Sequence, residues 1–166
     1  MNAQPQLLQI ALDEKDVVYT PDWVARDMVD FFKPTGRILE PSSGDGAILK
    51  YLPTADWCEI EKGWDFFACV NHYDWIIGNP PYTILTEWMK HSFDIADNIV
   101  YLIPSNAHWN SLGRLKRAFE YGGIVHTRMY GNGTLFGKNY GYPVGAVHFQ
   151  RGYHGGMYTS FYEATK

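Results

Sequence analysis

The chain has 166 residues, 46% of them hydrophobic and 19% charged, a composition suited to one globular domain and not to a disordered chain. No run approaches the ~20 apolar residues of a membrane span, residues 1–16 lack the basic-then-apolar pattern of a secretory signal, and Cys58 and Cys69 lack metal-ligand spacing; a cytoplasmic protein with reduced thiols and no metal is expected. The net charge of −4 argues against a general nucleic-acid binder, yet residues 1–100 carry 7 Lys and Arg against 16 Asp and Glu while residues 101–166 carry 7 against 2.

Residues 1–16 show weak periodicity and read as a lead-in. Thr20-Pro21 is a helix-start signal, a capping hydroxyl followed by proline at the first helical position. Val24, Met28, Phe31 and Phe32 recur at helical spacing, and Pro34 and Gly36 end that helix. Residues 37–40 read as a strand that runs into Pro41-Ser42-Ser43-Gly44-Asp45-Gly46 and a short helix over 47–52. Residues 57–61 and 73–78 read as strands, the second ending in Asn79-Pro80-Pro81-Tyr82. A helix is expected over 83–97, a buried strand over 98–103, and a helix capped by Ser111 and stopped by Gly122-Gly123. Strands follow over 124–129 and 144–149, then a tail that reads as loop or edge strand. The alternation of strand and helix predicts an α/β domain with a mostly parallel sheet and helices on both faces.

Two constellations carry chemistry. The first is the glycine turn Gly44-Asp45-Gly46 after a strand, where glycine lets the chain turn sharply and lets a ligand approach the backbone. No phosphate-binding lysine stands directly after the glycine, so it is not a P-loop, and Leu49 stands where a third dinucleotide-type glycine would be. Glu40 before the turn suits a cation, Glu59 on the next strand can accept ribose hydroxyls, and Asp65 can meet an adenine amino group. S-adenosylmethionine, with its ammonium and sulfonium, satisfies all three. The second constellation is Asn79-Pro80-Pro81-Tyr82. Two prolines fix φ and remove two donors. The asparagine amide and the Pro80 carbonyl are then acceptors for one NH2 group, with Tyr82 as a flat stacking face. Two acceptors steer an exocyclic amine whose lone pair is otherwise delocalised.

The chain resembles the Rossmann-like amino-methyltransferases, most closely the DNA adenine-N6 enzymes of restriction–modification systems and phages whose cofactor motifs precede the catalytic motif. The resemblance covers about residues 17–151, leaving 152–166 as a C-terminal tail. It implies a seven-stranded, mostly parallel sheet with one helix missing, because Glu59 and Asp65 are only six residues apart. It implies S-adenosylmethionine held by Tyr19, Thr20, Pro21, Glu40, Pro41, Ser42, Gly44, Gly46, Glu59, Ile60, Asp65, Phe66 and Asn79. It makes Asn79, Pro80, Pro81 and Tyr82 the catalytic motif, and Tyr82 and Phe136 the residues that stack on a flipped adenine. Asn79 separates the chain from related cytosine-N4 enzymes, which usually carry serine there. Arg114, Lys116, Arg117, Arg128, Lys138 and Arg151 are the candidate phosphate contacts. There is no room after residue 151 for a target-recognition domain, so a separate specificity subunit or a homo-oligomer is a candidate partner beside DNA. Two alternatives stay open: methylation of an amine or amide in RNA or protein, and a non-catalytic subunit of a heteromeric methyltransferase.

Overall fold

The computed structural model describes residues 19–137 and 141–163; the lead-in and Lys138 lie outside them. The first helix, α1 (Asp22–Phe32), buries Val24, Ala25 and Met28 and closes at Lys33 in the left-handed region (φ 48°). Its cap position is Pro21, one residue later than the sequence signal suggests, and no side chain caps it. The Thr20 hydroxyl is committed elsewhere, accepting from Asn79 Nδ2 at 3.3 Å.

The strands are β1 (Ile38–Glu40), β2 (Asp56–Trp57), β3 (Tyr73–Gly78), β4 (Ala96–Pro104), β5 (Gly122–Asn132), β6 (Pro143–Arg151) and β7 (Tyr158–Phe161). They form one sheet in the order β2-β1-β3-β4-β6-β5-β7, in which every neighbouring pair is parallel except the two that involve β6. The chain leaves β1 for β2 on one side and returns as β3 on the other. That reversal opens a crevice beyond the carboxyl ends of β1 and β3, where sheets of this kind place ligands.

Alternation along the central strands sorts the core into two layers. Leu39, Ile76, Ile99, Tyr101 and Ile103 face α2 (Leu85–Ile95) and α3 (Leu112–Tyr121) with Trp88, Met89 and Phe93. Ile38, Ile77, Val100 and Leu102 face α1 with Val24, Met28, Ile48 and Val144. A sheet buried on both faces reads as continuous apolar runs, as residues 75–78 and 99–103 do.

Several expected boundaries shift. Residues 47–52 are a series of turns, not a helix: Lys50 donates to Gly46, but Tyr51 and Leu52 donate only three residues back. Pro53 bars Leu52 from the helical region and leaves too few residues to propagate one. The strand expected over 57–61 shortens to β2, because the Glu59 carboxylate accepts from Glu61 N–H and opens a 3₁₀ turn at Ile60–Lys62. A second 3₁₀ turn follows at Phe66–Ala68, opened by Asp65 accepting from Phe67 N–H at 2.9 Å. These two turns stand where the missing helix was expected. The helix expected over 83–97 is a 3₁₀ turn, Tyr82–Ile84, followed by α2, which gives way to β4 already at Ala96. Ser111 does cap α3, accepting from Arg114 N–H. The tail contributes β7, an edge strand parallel to β5.

Candidate functional site

The glycine turn and the Asn-Pro-Pro-Tyr turn meet at the sheet's switch point. Leu39 is in register with Ile76, which carries Glu40 alongside Ile77 and Gly78 alongside Pro41. The fit is tight there: a Cβ on Gly78 would stand 3.1 Å from Pro41 Cδ, so the proline ring would have to give by a few tenths of an ångström. The close approach lets Ser42 Oγ donate to the Asn79 carbonyl at 2.9 Å, tying one motif to the other.

Glu40 is 3% exposed, and its Oε2 has no hydrogen-bond partner in the described structure. Burial, reinforced by the Asp45 and Glu59 carboxylates, pushes its pKa up to about 9, against the opposing help of the Leu49 N–H and Lys62. The neighbouring Ser43 Oγ is likewise buried without a partner. Gly44 and Gly46 adopt φ of 51° and 85°, and a Cβ at either would meet nothing within 4 Å. The turn is thus a left-handed cradle facing open space, with an acid at its root that has one unpartnered oxygen.

Around it, Glu59 Oε2 accepts from Gly44 N–H at 2.6 Å, so this carboxylate reaches the glycine turn itself. Lys62 Nζ donates to the Gly44 carbonyl at 3.2 Å and stands 5.2 Å from the Trp57 ring centre. The sequence did not single out Lys62; its signal is a lone cation between Glu59, Glu61 and Asp65 in a very short turn. Asp65 is half-buried, Phe66 is buried beneath it at 2% exposure, and Ile60 is half exposed on the opposite side of the segment. Tyr19 is 61% exposed; Thr20 and Pro21 are half-buried at the start of α1.

The Asn79 amide is oriented from both ends. Its nitrogen donates to Thr20, and its oxygen accepts from the Tyr82 hydroxyl at 3.1 Å. Tyr82 also reaches the Leu102 carbonyl at 3.2 Å, and its ring packs on the α2-side core. Pro80 and Pro81 are buried. Phe136, in the 3₁₀ turn Gly133–Phe136, is 8% exposed and belongs to the α1-side core with Tyr130 and Val144. The structure therefore gathers the two motifs, Thr20 and the 59–66 segment, and puts Phe136 inside the core beside them.

The candidate phosphate contacts diverge. Arg114 is half-buried and donates to the Ala107 carbonyl, Thr86 and Asn110. Arg128 forms a two-pronged pair with Asp27, both distances 3.0 Å, and also donates to the Phe161 carbonyl. Arg151 is bound to Asp97 and to the Phe93 and Ala96 carbonyls. Lys116 and Arg117 are exposed on α3, and Lys138 lies outside the described residues. A groove of about 190 Å³ opens away from the switch point, between the 105–109 turn, β5 and β7, lined among others by His108, Met129 and Thr159. Among the described residues there is no His, Cys, Asp or Glu cluster suited to a metal, and no helix long and apolar enough to cross a membrane.

No protein-family model and no curated protein matches the chain. Solved structures do. A chain from a type I R-M system superposes with a TM-score of 0.63 at 11% identity, over 89% of this chain and 45% of that one. The type I restriction-modification methyltransferase subunit of Streptococcus thermophilus gives 0.60 at 14% identity, over 81% and 45%. The 23S rRNA methyltransferase ErmE gives 0.55 at 12%, over 81% and 69%. The chain thus has a Rossmann-like methyltransferase fold, and it spans about half the length of the restriction-modification proteins it matches.

Proposed function

We propose that this chain transfers a methyl group from S-adenosylmethionine to the exocyclic N6 amine of adenine in DNA. The observation that carries this reading is the meeting of a buried carboxyl with one unpartnered oxygen, at the root of a glycine cradle, with an oriented Asn79 amide at one switch point. The residues fit the cofactor. Glu40 Oε2 and Ser43 Oγ are buried polar atoms in need of a partner, and a carboxylate at that place calls for a cation. Glu59 and Asp65 are the acceptors for ribose and adenine groups on this reading, with half-exposed Ile60 as an apolar surface on the same segment; Phe66, buried against Trp88, braces that segment from the core and does not face the ligand. When bound, the cofactor supplies an electrophilic methyl on a sulfonium.

The chain's own residues do the rest. Ser42 and Thr20 hold the Asn79 main chain and amide, so that its oxygen and the Pro80 carbonyl receive the two hydrogens of one amine. The two acceptor positions of a carboxamide oxygen let it serve Tyr82 and that amine together. Tyr82, fixed at its hydroxyl, offers a ring edge or face to the base. An adenine inside a duplex cannot reach such a turn, so the base must leave the stack. Lys116 and Arg117 on α3 are exposed cations of the basic half and the first phosphate contacts to test. Matched structures include a modification subunit and a methyltransferase subunit of type I restriction systems, and a further subunit or a second copy would supply sequence recognition here.

The test is transfer of labelled methyl to DNA, RNA and protein acceptors in parallel. Asn79→Ala is expected to lose at least about 100-fold in rate while still binding cofactor, since it removes one transition-state acceptor. Undiminished activity of that variant would overturn the catalytic assignment, and label in RNA or protein alone would move the acceptor.

A further inference from the structure

Cys58 and Cys69 are eleven residues apart in sequence, and their sulfurs stand 3.0 Å apart. That is only about 1 Å longer than a disulfide bond. Both are free thiols. Their backbones are fixed independently. Cys58 N–H donates to the Glu40 carbonyl and its carbonyl accepts from Ser43, while Cys69 N–H donates to Phe66. The two cysteines therefore bracket the segment that carries Glu59, Ile60, Asp65 and Phe66, and that segment contains only two 3₁₀ turns.

We propose that Cys58 and Cys69 form a dithiol modification site, converted to an intramolecular disulfide by a small-molecule disulfide, and that the crosslink pins segment 59–68. Cys69 is the more exposed thiol and reacts first; Cys58 is 4% exposed, and burial pushes its thiol up. The Cys69 thiol releases its proton and attacks one sulfur of the oxidant. The oxidant's S–S bond breaks, one small thiol leaves, and a mixed disulfide remains on Cys69. The Cys58 thiol then gives up its proton and attacks the Cys69 sulfur, forming the protein bond and expelling the second small thiol. Two protein thiols are oxidised and one disulfide is reduced to two thiols, so protons and electrons balance.

The consequence for binding rests on the cofactor reading above. A pinned segment has already lost the freedom a ligand would have to remove, so the oxidised form binds more tightly. The experiment uses the full chain, folded, with oxidised glutathione as probe, followed by denaturing alkylation and mass spectrometry. Wild type is expected to lose two hydrogens with both cysteines protected, and Cys58→Ser to stop at a glutathione adduct on Cys69. Two alkylated thiols, or stable glutathione adducts on wild type, would overturn the site. Amide hydrogen exchange over 59–68 is expected to slow on oxidation, and unchanged exchange would overturn the pinning. S-adenosylmethionine is expected to bind the oxidised form several-fold more tightly by calorimetry, and equal affinity would overturn the link to binding. Absence of binding by both forms would instead strike the cofactor reading, while the thiol and exchange results still decide the site.

Discussion

Glu40 is the residue whose surroundings are least satisfied and therefore most informative. With its pKa raised to about 9 it is protonated at neutral pH. A bound cation favours the ionised form, so binding must expel a proton. S-adenosylmethionine affinity is accordingly expected to rise with pH from neutral to about 9 and then level off. In Glu40→Gln it should be weaker and almost independent of pH over that range; calorimetry in buffers of different ionisation heat reads both. A wild-type profile that is flat would remove Glu40 from the site. Glu40, the glycine cradle and the Asn79 turn were all legible in the sequence, because each is a local chain requirement at a strand end. The anchoring of Asn79 by Thr20 was not: it spans 59 residues, and the sequence pointed to a helix cap in its place. Nor was the tether of the Tyr82 hydroxyl to Leu102, which depends on β4 lying next to β3.

At the scale of elements, α1 is held against the far side of the sheet by one cluster. Asp27 pairs with Arg128, accepts from the Tyr130 hydroxyl at 2.9 Å, and is 15% exposed at its side chain. Phe31 lies under the same guanidinium, and Trp23 packs on Tyr130 and Tyr162. Since α1 begins just after Thr20, this clamp also sets the Asn79 amide. Asp27→Ala leaves a largely buried Arg128 without its carboxylate and is expected to cost about 3–5 kcal/mol in urea unfolding. Adding Arg128→Met should recover part of that loss; a cost below about 1 kcal/mol would show the clamp to be slack. Residues 27 and 128 are far apart in sequence, which is why Arg128 read as a surface cation free for phosphate. The same holds for Arg151, which staples β6 to the α2–β4 junction.

For the whole molecule, buried titratable groups set opposing responses to pH. Burial lowers His108 and His148 to about 4, the first also facing Arg114 and the second His126. His148 stacks on Trp75 at 5.0 Å and bonds Asn98. A histidine kept neutral in the fold contributes stability above its unfolded pKa of about 6.5, lost as pH falls toward 4, on the order of 3 kcal/mol each. Glu40 acts in the other direction, since its folded pKa is raised: stability declines as pH climbs from about 4.5 to 9. Thermal unfolding is expected to show highest stability in the weakly acidic range, and cofactor is expected to lift the alkaline side selectively. A curve that stays level below pH 6 would contradict the neutral, buried state of both histidines. The mostly parallel sheet with both faces covered followed from the alternation of strand and helix and from the apolar runs; the strand order, set by which strands pair across long stretches of chain, did not. The lost helix between Glu59 and Asp65 was legible in their spacing, whereas the turns at 47–52 were not, because a proline competes there with weak helical periodicity.

Those short connections leave the Glu59–Asp65 side of the crevice resting on little more than two capped turns and a two-residue strand. A floor so thin has scant means of gripping what lies on it. If the proposed cofactor lies there, it is expected to leave quickly, and a slow dissociation of S-adenosylmethionine in a stopped-flow chase would contradict this.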